Sequence, residues 1–560
     1  MKTPAADNDI VELLRSKLDI SHLCARILFS RGFTDPGRVE TFLYPRIEDL
    51  SDPFLLPDME KAVARMMEAV RTHEKVCLYG DYDADGVTSV ALMVNFLTRL
   101  GMNPAVYLPE RKEGYGLNLK AVEKIKEDGA TLLVCLDCGS TNIEEIKRAG
   151  ELGMDVIVID HHEPGEELPS AWAIVNPKMK NALFPTRELA ACGVTFFFLL
   201  ALRRILSKKG MLHVTINLKK ELDLVTLGTI ADMVPLTGDN RVIVKFGMAM
   251  MRKSPRMWLR TFFKSGIVTR AVVDEYTLGF IIIPRINAAG RVSHPGTALD
   301  FLLAEDEFSS KTYLAQLQDV NRQRQRIEAE IVKEAIETID GGDLTERNSI
   351  VLFKEGWHIG VIGIVAQKLT ELYKKPCIVI TEVEGMWKGS GRGGDGVDLH
   401  KAIESVAHLV QRFGGHKYAC GISLLGENLI AFRDAFDESV GDAFIEREKK
   451  TRVDTHASFE ELTGELLEFI ERASPYGMGN PRPNLLFAPS KVRVVKGFAK
   501  IIDGTNRTWR GSFYGKEPVP EATGIHIVAS PMVREDMGER FVHLTIKEFV
   551  LPEIEACDAV

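Results

Sequence analysis

The fold class of this chain is decided by the stretch Asp155-Val156-Ile157-Val158-Ile159-Asp160-His161-His162. Its first five residues form an Ile/Val-rich run of the kind that is typical of a buried parallel strand. Open α/β sheets place their ligand sites just beyond the carboxyl ends of such strands. The three polar side chains that follow the run can all bind a metal ion, and they stand where a functional site is expected.

Three other apolar runs end in the same way. Each is followed by at least one aspartate: residues 75–79 by Asp81, Asp83 and Asp85, residues 131–136 by Asp137, and residues 222–231 by Asp232. We interpret all four runs as strands, separated by helical segments, of one parallel α/β sheet. If their carboxyl ends meet at one edge of the sheet, the carboxylates repel one another unless cations neutralise them.

The residue types favour a site for two divalent ions. Oxygen ligands with one or two imidazoles suit Mn²⁺ or Mg²⁺ better than a metal that prefers thiolates. A bridging aspartate would hold two ions about 3.5–4 Å apart, an arrangement suited to phosphoester hydrolysis. The predicted ligands are Asp83, Asp85, Asp137, His161 and Asp232, with Asp137 as the bridge.

The remaining polar residues of these motifs have other predicted roles. His162 is expected to contact the scissile phosphate or the leaving group, so the predicted catalytic set is His162, Asp137 and Asp81. Asp81 and Asp160 would orient the ligands or fix a histidine tautomer. For any single aspartate the alternative is a helix N-cap or a structural hydrogen bond. A calcium loop is not favoured, because Leu92 stands where its distal glutamate is expected.

The ordered motifs resemble the DHH phosphoesterase superfamily and, within it, the RecJ single-stranded-DNA exonucleases. Further matching segments support the narrower family: Pro284–Arg291, Trp357–Ile364, Gly389–Arg392, Phe413–His416 and Tyr476–Pro481. The resemblance implies the same five metal positions and 5′→3′ hydrolysis of single-stranded DNA to 5′-mononucleotides in recombination and repair. It also suggests a single-strand-binding protein and a helicase as partners.

Two glycine-rich segments and several arginines are predicted to bind the substrate's phosphates. Glycines permit close approach of backbone N–H groups to an oxyanion, and guanidinium groups add charged donors. The candidates are Arg111, Arg285, Arg291, Ser390, Gly391, Arg392, Gly414, Gly415 and His416. Glycine-rich segments are usually plain turns, which is the alternative for each of them.

Length and composition limit the class of protein. A chain of 560 residues with 45% hydrophobic and 27% charged residues indicates a globular protein of three or four domains. No apolar stretch approaches the ~20 residues that span a bilayer. Eight cysteines, several of them in apolar runs, indicate reduced core thiols and a cytoplasmic protein. We expect a monomer.

The predicted organisation is α/β with a C-terminal β domain. The segments are an N-terminal helical segment (1–50), a DHH catalytic domain (51–305), a connecting helix (306–342), a second α/β, DHH-associated substrate-binding domain (343–450) and an OB-type β barrel (453–560). The net charge of −9 hides two basic stretches, residues 241–291 with ten Lys/Arg and residues 485–516 with seven. The second interleaves five aromatic residues, of which one or two are expected to be exposed for stacking on unpaired bases.

Two other functions compete with the exonuclease. One is a DHH phosphodiesterase for very short oligonucleotides or cyclic dinucleotides, which the basic C-terminal segment disfavours. The other is a non-catalytic scaffold that binds single strands, which the intact metal positions disfavour.

Overall fold

The computed structural model describes residues 7–253, 255–268, 273–394, 396–443, 452–515, 524–536 and 538–550. Within these ranges the α-helices are α1 (Asn8–Leu18), α2 (His22–Ser30), α3 (Pro36–Leu43), α4 (Met59–Thr72), α5 (Ala84–Arg99), α6 (Leu119–Glu127), α7 (Ile143–Glu151), α8 (Ala191–Lys208), α9 (Leu222–Ala231), α10 (Gly238–Lys253), α11 (Met257–Lys264), α12 (Ile283–Val292), α13 (Gly296–Leu303), α14 (Glu307–Asp340), α15 (Ile362–Tyr373), α16 (Leu399–Glu404), α17 (Leu429–Ala443) and α18 (Gly464–Ala473).

The strands of the described ranges are β1 (Val76–Gly80), β2 (Ala105–Tyr107), β3 (Leu132–Leu136), β4 (Asp155–Ile159), β5 (Ala173–Val175), β6 (Ile350–Phe353), β7 (Cys377–Val383), β8 (Met386–Arg392), β9 (Arg412–Gly415), β10 (Ala419–Leu424), β11 (Thr455–His456), β12 (Leu485–Phe487), β13 (Lys491–Val495), β14 (Phe498–Ile502), β15 (Thr508–Ser512), β16 (His526–Asp536) and β17 (Glu539–Val550). The chain divides into two compact units. The larger unit contains Ser51–Val234 and Phe246–Glu448, and the smaller unit contains Met1–Leu50, Pro235–Lys245 and Lys449–Val560.

The first sheet of the larger unit is parallel throughout, in the order β2-β1-β3-β4-β5. Its central strands β1 and β3 are fully buried, which explains their continuous apolar sequences. One face packs against α6 and α7. On the other face α5 contacts β1 and β3, and α8 contacts β4. Three of the four apolar runs predicted as strands are therefore confirmed.

The fourth run is not a strand. Residues 222–231 form helix α9, which contacts α5 and α8 and whose first eight residues are all buried. A helix that is apolar on every side shows no helical periodicity, so a buried helix and a buried strand look alike in sequence. Asp232 therefore follows the C-terminus of a helix.

The predicted helical segment 308–340 corresponds to α14. It precedes a second sheet with the order β6-β7-β8-β10-β9, in which only the β6–β7 pair is parallel. The sequence also predicts strands at 349–353 and 377–381, and these match β6 and β7. The sequence also predicts a helix from His400 to Phe413, and this prediction is wrong beyond Glu404, because α16 ends there and Phe413 lies on β9.

Their glycine content also predicts that the two glycine-rich segments are loops, and this prediction is wrong for the residues that lie on strands. Gly389–Arg392 lies on strand β8 and Phe413–Gly415 on strand β9. Gly389 and Gly415 make close contacts that leave no room for a side chain. A Cβ atom on Gly389 would lie 2.8 Å from Ile422 Cγ1, and one on Gly415 would lie 2.3 Å from the Ala419 carbonyl oxygen.

The smaller unit contains a seven-stranded sheet in the order β11-β12-β16-β17-β15-β14-β13. Its core joins residues of β12, β14, β15, β16 and β17 to residues of α1, α2, α3 and α18. The sequence also predicts strands at 492–495, 526–529 and 542–546, and these are confirmed within β13, β16 and β17. Among the described residues no strand ladder joins β11 to β13, so closure into an OB-type barrel is not confirmed.

Seven cysteines lie in the described part of the chain, and each is a buried free thiol. Burial raises the pKa of several of them, for example that of Cys77 to about 12, because a thiolate would lose its hydration. In the same part of the chain we find no helix with the length and apolarity that a bilayer crossing needs.

Candidate metal centre

The carboxyl ends of β1, β3 and β4 deliver acidic side chains to one edge of the first sheet. β1 leads to Asp81, Asp83 and Asp85, β3 leads to Asp137, and β4 leads to Asp160. Four of these five carboxylates are almost completely buried, with exposed fractions of 1–2% for Asp81, Asp85, Asp137 and Asp160. The parallel topology therefore concentrates negative charge at one buried place, as the sequence predicted.

The turn after β1 is held by backbone and side-chain hydrogen bonds. Asp83 is the N-cap of α5, and its carboxylate accepts from the backbone N–H groups of Asp85 (2.9 Å) and Gly86 (3.1 Å). A Cβ atom on Gly86 would lie 2.6 Å from the Asp81 backbone nitrogen, so a side chain cannot be accommodated there. The Ala84 N–H donates to Asn287 Oδ1 at 2.8 Å, which ties α12 to this turn. Asn287 was not singled out from the sequence, although its segment was.

The predicted ligands lie close to one another. His161 Nε2 is 3.3 Å from Asp137 Oδ1 and 3.9 Å from Asp85 Oδ2, and His161 Nδ1 is 3.6 Å from Asp232 Oδ2. Within the described residues, three groups of potential ligand atoms lie within 4.8 Å of one another: Asp81, Asp83 and Asp137; Asp85, His161 and Asp232; and Asp137, His161 and His162. All five predicted ligands belong to these groups.

Asp137 has an unusual backbone conformation. Its φ angle is +64°, in the left-handed region, and its N–H donates to the Ile159 carbonyl at 3.1 Å. This geometry turns the carboxylate towards the neighbouring aspartates. Its Oδ1 atom and Asp81 Oδ1 are buried without a hydrogen-bond partner in the described structure. Buried carboxylate oxygens without donors are costly, and a bound cation would satisfy them.

The electrostatics of the group also fit a divalent cation. Burial and mutual repulsion raise the pKa of Asp137 and Asp232 well above the usual value, that of Asp81 to about 8 and that of Asp85 to about 6. Burial lowers the pKa of His161 to about 3, so its imidazole is neutral, which is the form that binds metals. The donor set is four to five carboxylates with one imidazole, which suits Mn²⁺ or Mg²⁺.

Asp160 does not belong to the ligand groups. Its Oδ2 accepts from Ser140 N–H at 3.0 Å, and its Oδ1 accepts from His161 N–H at 2.7 Å and lies 2.7 Å from His162 Nδ1. These donors outweigh burial and hold the pKa of Asp160 below its usual value. Burial opposes protonation of His162, but Asp160 raises its pKa to about 9. Asp160 thus fixes the orientation of His162.

Three of the predicted phosphate-binding arginines form a second cluster, which we call the arginine cluster: Arg111, Arg291 and Arg392. Burial and the proximity of Arg111 lower the pKa of Arg291 to about 10 and shift that of Arg392 in the same direction. Among the described residues none of the three forms an ion pair with a carboxylate within 4.0 Å. Their hydrogen bonds go to neutral acceptors, including Gly290 O for Arg111, Gly360 O for Arg291 and Ser390 Oγ for Arg392.

The other predicted phosphate ligands are placed differently. Arg285 donates to Gln318 Oε1 at 3.3 Å and to the Ile281 carbonyl, so it is engaged between α12 and α14. Gly414, Gly415 and His416 are exposed at the edge strand β9 and the turn after it. No described contact joins them to the arginine cluster. His358, which was not assigned a role from the sequence, has its pKa lowered by burial and by Arg111.

Two close backbone contacts fix α12 on both sides. A Cβ atom on Gly290 would lie 2.0 Å from the Tyr82 carbonyl oxygen, in the turn after β1. A Cβ atom on Gly360, which precedes α15, would lie 1.9 Å from the Arg291 carbonyl oxygen. The acidic group and the arginine cluster are therefore linked through the main chain of α12.

Comparison with known proteins agrees with this geometry. The DHH family, N-terminal domain, matches residues 75–229, and the DHHA1 domain matches residues 346–442. A single-stranded-DNA-specific exonuclease RecJ of Haemophilus influenzae is 34% identical over 78% of this chain and 79% of its own length. The RecJ of Bacillus subtilis is 37% identical over 90% of this chain, which spans only 62% of that longer relative.

Solved structures match as well. A crystal structure of Thermus thermophilus RecJ in complex with Mn²⁺ has a TM-score of 0.83 and 26% identity, and covers 99% of this chain and 79% of that one. An exonuclease RecJ bound to manganese has a TM-score of 0.58 and 32% identity, and covers 69% and 95%. The fold and site define a DHH-superfamily protein. Within that superfamily, the chain belongs to the RecJ family of single-stranded-DNA-specific exonucleases.

Proposed function

We propose that this chain is a metal-dependent exonuclease that degrades single-stranded DNA from the 5′ end to 5′-mononucleotides, in recombination and repair. One observation carries the proposal: a buried group of carboxylates lies in the same unit as three half-buried arginines that form no ion pair within the described residues. Asp83 is close enough to Arg291 to counteract the fall in the pKa of that arginine. Divalent ions would neutralise the carboxylates, and the phosphates of a bound DNA strand would neutralise the arginine cluster.

The residues that would hold the ions are Asp83, Asp85, Asp137, His161 and Asp232. When bound, divalent ions supply Lewis-acid activation of water and neutralise charge that develops at phosphorus. The catalytic set is Asp137, Asp81 and His162. Asp160 holds His162 towards the site, where the imidazole would contact the scissile phosphate or the leaving oxygen.

The arginine cluster would bind the phosphate that is to be hydrolysed. Guanidinium groups match phosphate oxygens with paired donors, and burial strengthens those bonds. The Ser390 hydroxyl lies 3.1 Å from the Arg392 guanidinium and adds another donor next to Gly391. Gly414, Gly415 and His416 would contact the strand further from the cleavage point, because they lie on the exposed edge of the second sheet.

The seven-stranded sheet, for which we retain an OB-type role, would bind single-stranded DNA. Arg493, Lys500 and Arg510 stand directly opposite one another on β13, β14 and β15, on the exposed face. Phe498 and Tyr514 are 76% and 80% exposed, as was expected for one or two aromatic residues of this segment. A row of positive charge beside exposed rings suits a sequence-independent single strand.

Digestion of labelled DNA tests the proposal. With Mn²⁺, a single-stranded oligonucleotide labelled at the 5′ end should release labelled mononucleotide at once, whereas a 3′-labelled one should shorten progressively. Chelation should abolish both results, and Asp137→Ala should cost more activity than Asp81→Ala. A length series separates the remaining alternatives, because cleavage confined to dinucleotides, or no cleavage at all, would contradict the proposal.

Binding measurements test the C-terminal face separately. Phe498→Ala should weaken the affinity for single-stranded DNA by about 1–3 kcal/mol. Phe308→Ala provides the control, because Phe308 is 82% exposed on α14 in the other unit. Equal affinities of the two variants would argue against a stacking role for β14.

Partners and location follow from the same proposal. We propose that the protein acts as a monomer in the cytoplasm with a single-strand-binding protein and a helicase. Co-sedimentation of purified components on partially single-stranded DNA would test these partners.

A further inference from the structure

Tyr115 lies in a short loop between two glycines. Gly114 and Gly116 have φ angles of +102° and +81°, which side chains rarely adopt, so both positions require glycine. The loop is anchored from behind, because Tyr79 donates its hydroxyl hydrogen to the Gly116 carbonyl at 2.8 Å and Asn142 Nδ2 donates to the Leu117 carbonyl at 3.0 Å. The backbone is thus fixed around a single large side chain.

The hydroxyl of Tyr115 contacts the imidazole of His162. Tyr115 Oη is 2.8 Å from His162 Nε2 and 3.1 Å from Nδ1, and the two rings meet edge to face with centroids 5.4 Å apart. His162 Nδ1 is already engaged by Asp160 at 2.7 Å. Nε2 is therefore the nitrogen left for Tyr115. A phenolic hydroxyl can both donate and accept, so it can satisfy Nε2 in either histidine tautomer.

The side chain of Tyr115 is accessible although its hydroxyl points inward. The residue is 55% exposed, whereas His162 has 32% of its side chain exposed and Asp160 1%. The hydroxyl also lies 3.5 Å from the Asp137 carbonyl oxygen. Asp160, His162 and Tyr115 thus contact one another in that order. The first is a buried, hydrogen-bonded carboxylate, and the last is an exposed side chain.

We propose that Tyr115 is a positioning residue that fixes the orientation of the His162 imidazole through a hydrogen bond to Nε2. Asp160 holds Nδ1 of the imidazole, but one side-chain hydrogen bond does not prevent the ring from rotating about the axis of that bond. The hydroxyl of Tyr115 supplies the second fixed point, and the two glycines hold it there. The inference rests on the proposed function, in which His162 contacts the phosphate or leaving group.

Tyr115→Phe isolates the hydroxyl, because it keeps the ring and an exposed phenylalanine is compatible with folding. Loss of one net hydrogen bond should lower kcat on single-stranded DNA by about two- to tenfold with KM nearly unchanged. The matched control is Tyr107→Phe. Tyr107 donates to Glu113 Oε2 at 2.9 Å, on the same loop, and has no described contact with His162. This control should leave kcat unchanged.

The second readout does not need activity. Nitrogen chemical shifts of His162 in the metal-free protein, assigned by their loss in His162→Ala, should change in Tyr115→Phe and not in Tyr107→Phe. An unchanged His162 signal in Tyr115→Phe would overturn the inference. So would an equal fall in kcat on adding Tyr115→Phe to His162→Ala, because Tyr115 would then act without His162.

The two readouts separate the inference from the proposed function. If the wild-type protein fails to digest DNA while the His162 shifts respond to Tyr115→Phe, the proposed function fails and the positioning role stands. If digestion proceeds and neither readout responds, the positioning role fails and the proposed function stands.

Discussion

The acidic group at the first sheet and the arginine cluster carry opposite charges. Within the described residues, neither group is neutralised by ion pairs with oppositely charged side chains. They differ in how they are built. The carboxylates are fixed by three strand ends and one helix end of a single domain, and backbone N–H groups hold Asp83 and Asp85. The arginines come from three separate elements, of which Arg392 belongs to the second sheet. The acidic group forms because the strand order of the first sheet brings its aspartates together. The arginine cluster forms only where the second sheet packs against the elements that carry Arg111 and Arg291.

The largest effect is expected from Asp137→Asn. Asparagine tolerates the left-handed backbone at this position, so the change removes charge with little strain. Loss of the carboxylate proposed to bridge the two ions should lower kcat by on the order of 10³-fold or more, since metal ions contribute several kcal/mol to such reactions. Asp155→Asn at the opposite end of β4, where Asp155 pairs with Arg65 at 2.6 Å, is the control. Near-equal activities would break the assignment of the acidic group.

Arg392→Ala should have the next largest effect. Truncating one partner of a buried charged contact costs about 2–5 kcal/mol, so kcat/KM should fall by about 30-fold or more. Arg347→Ala is the control. Arg347 precedes β6 of the same sheet and pairs with Asp434 at the surface at 2.8 Å. A similar loss in both variants would mean that the arginine cluster contributes only general positive charge.

The metal-free protein should become less stable as pH rises from about 6.5 to about 8. The pKa of Asp81 is raised to about 8 and that of His162 to about 9, so in this window the folded state binds more protons than the unfolded state. His161, whose pKa is lowered to about 3, contributes the opposite slope only below about 6.5. Calorimetric unfolding with and without Mn²⁺ measures this. A metal-free Tm that rises over this interval would contradict the electrostatic account.

The smallest effect distinguishes the arginine cluster from the acidic group directly. Inorganic phosphate at about ten times its Kd stabilises the folded state by about 1.4 kcal/mol, which should raise Tm by about 1–2 °C. The shift should be absent in Arg392→Ala and retained in Arg347→Ala. Sodium chloride at equal ionic strength controls for screening. An equal phosphate shift in Arg392→Ala would place the anion elsewhere.

The acidic group could be predicted from sequence because each ligand follows a recognisable apolar run. β1, β3 and β4 are short, β-branched and buried, so their ends are readable. α9 was misread as a strand because it is apolar on every side, yet Asp232 still reaches the site from the helix end. Asp232 is therefore predictable from its position directly after an apolar run, although the secondary structure predicted for that run is wrong.

The arginine cluster was only partly predictable. Arg111, Arg291 and Arg392 come together, whereas Arg285 donates to Gln318 on α14 and has no described contact with the other three. Pairing of this kind depends on long-range packing, which no local pattern records. The contact of Tyr115 with His162 joins residues 47 positions apart and was missed, although Gly-Tyr-Gly within the Arg111 segment was a usable signal.

Gly290 within α12 and Gly360 before α15 have a mechanical consequence. At Gly290 and Gly360 the turn after β1, helix α12 and the segment before α15 contact one another through backbone atoms alone. The spacing between the acidic group and the arginine cluster is therefore fixed by main-chain contacts. Rotamer changes cannot widen it. A Cβ atom added at either position would clash with a backbone carbonyl oxygen, so Gly290→Ala or Gly360→Ala should displace α12 from its neighbours.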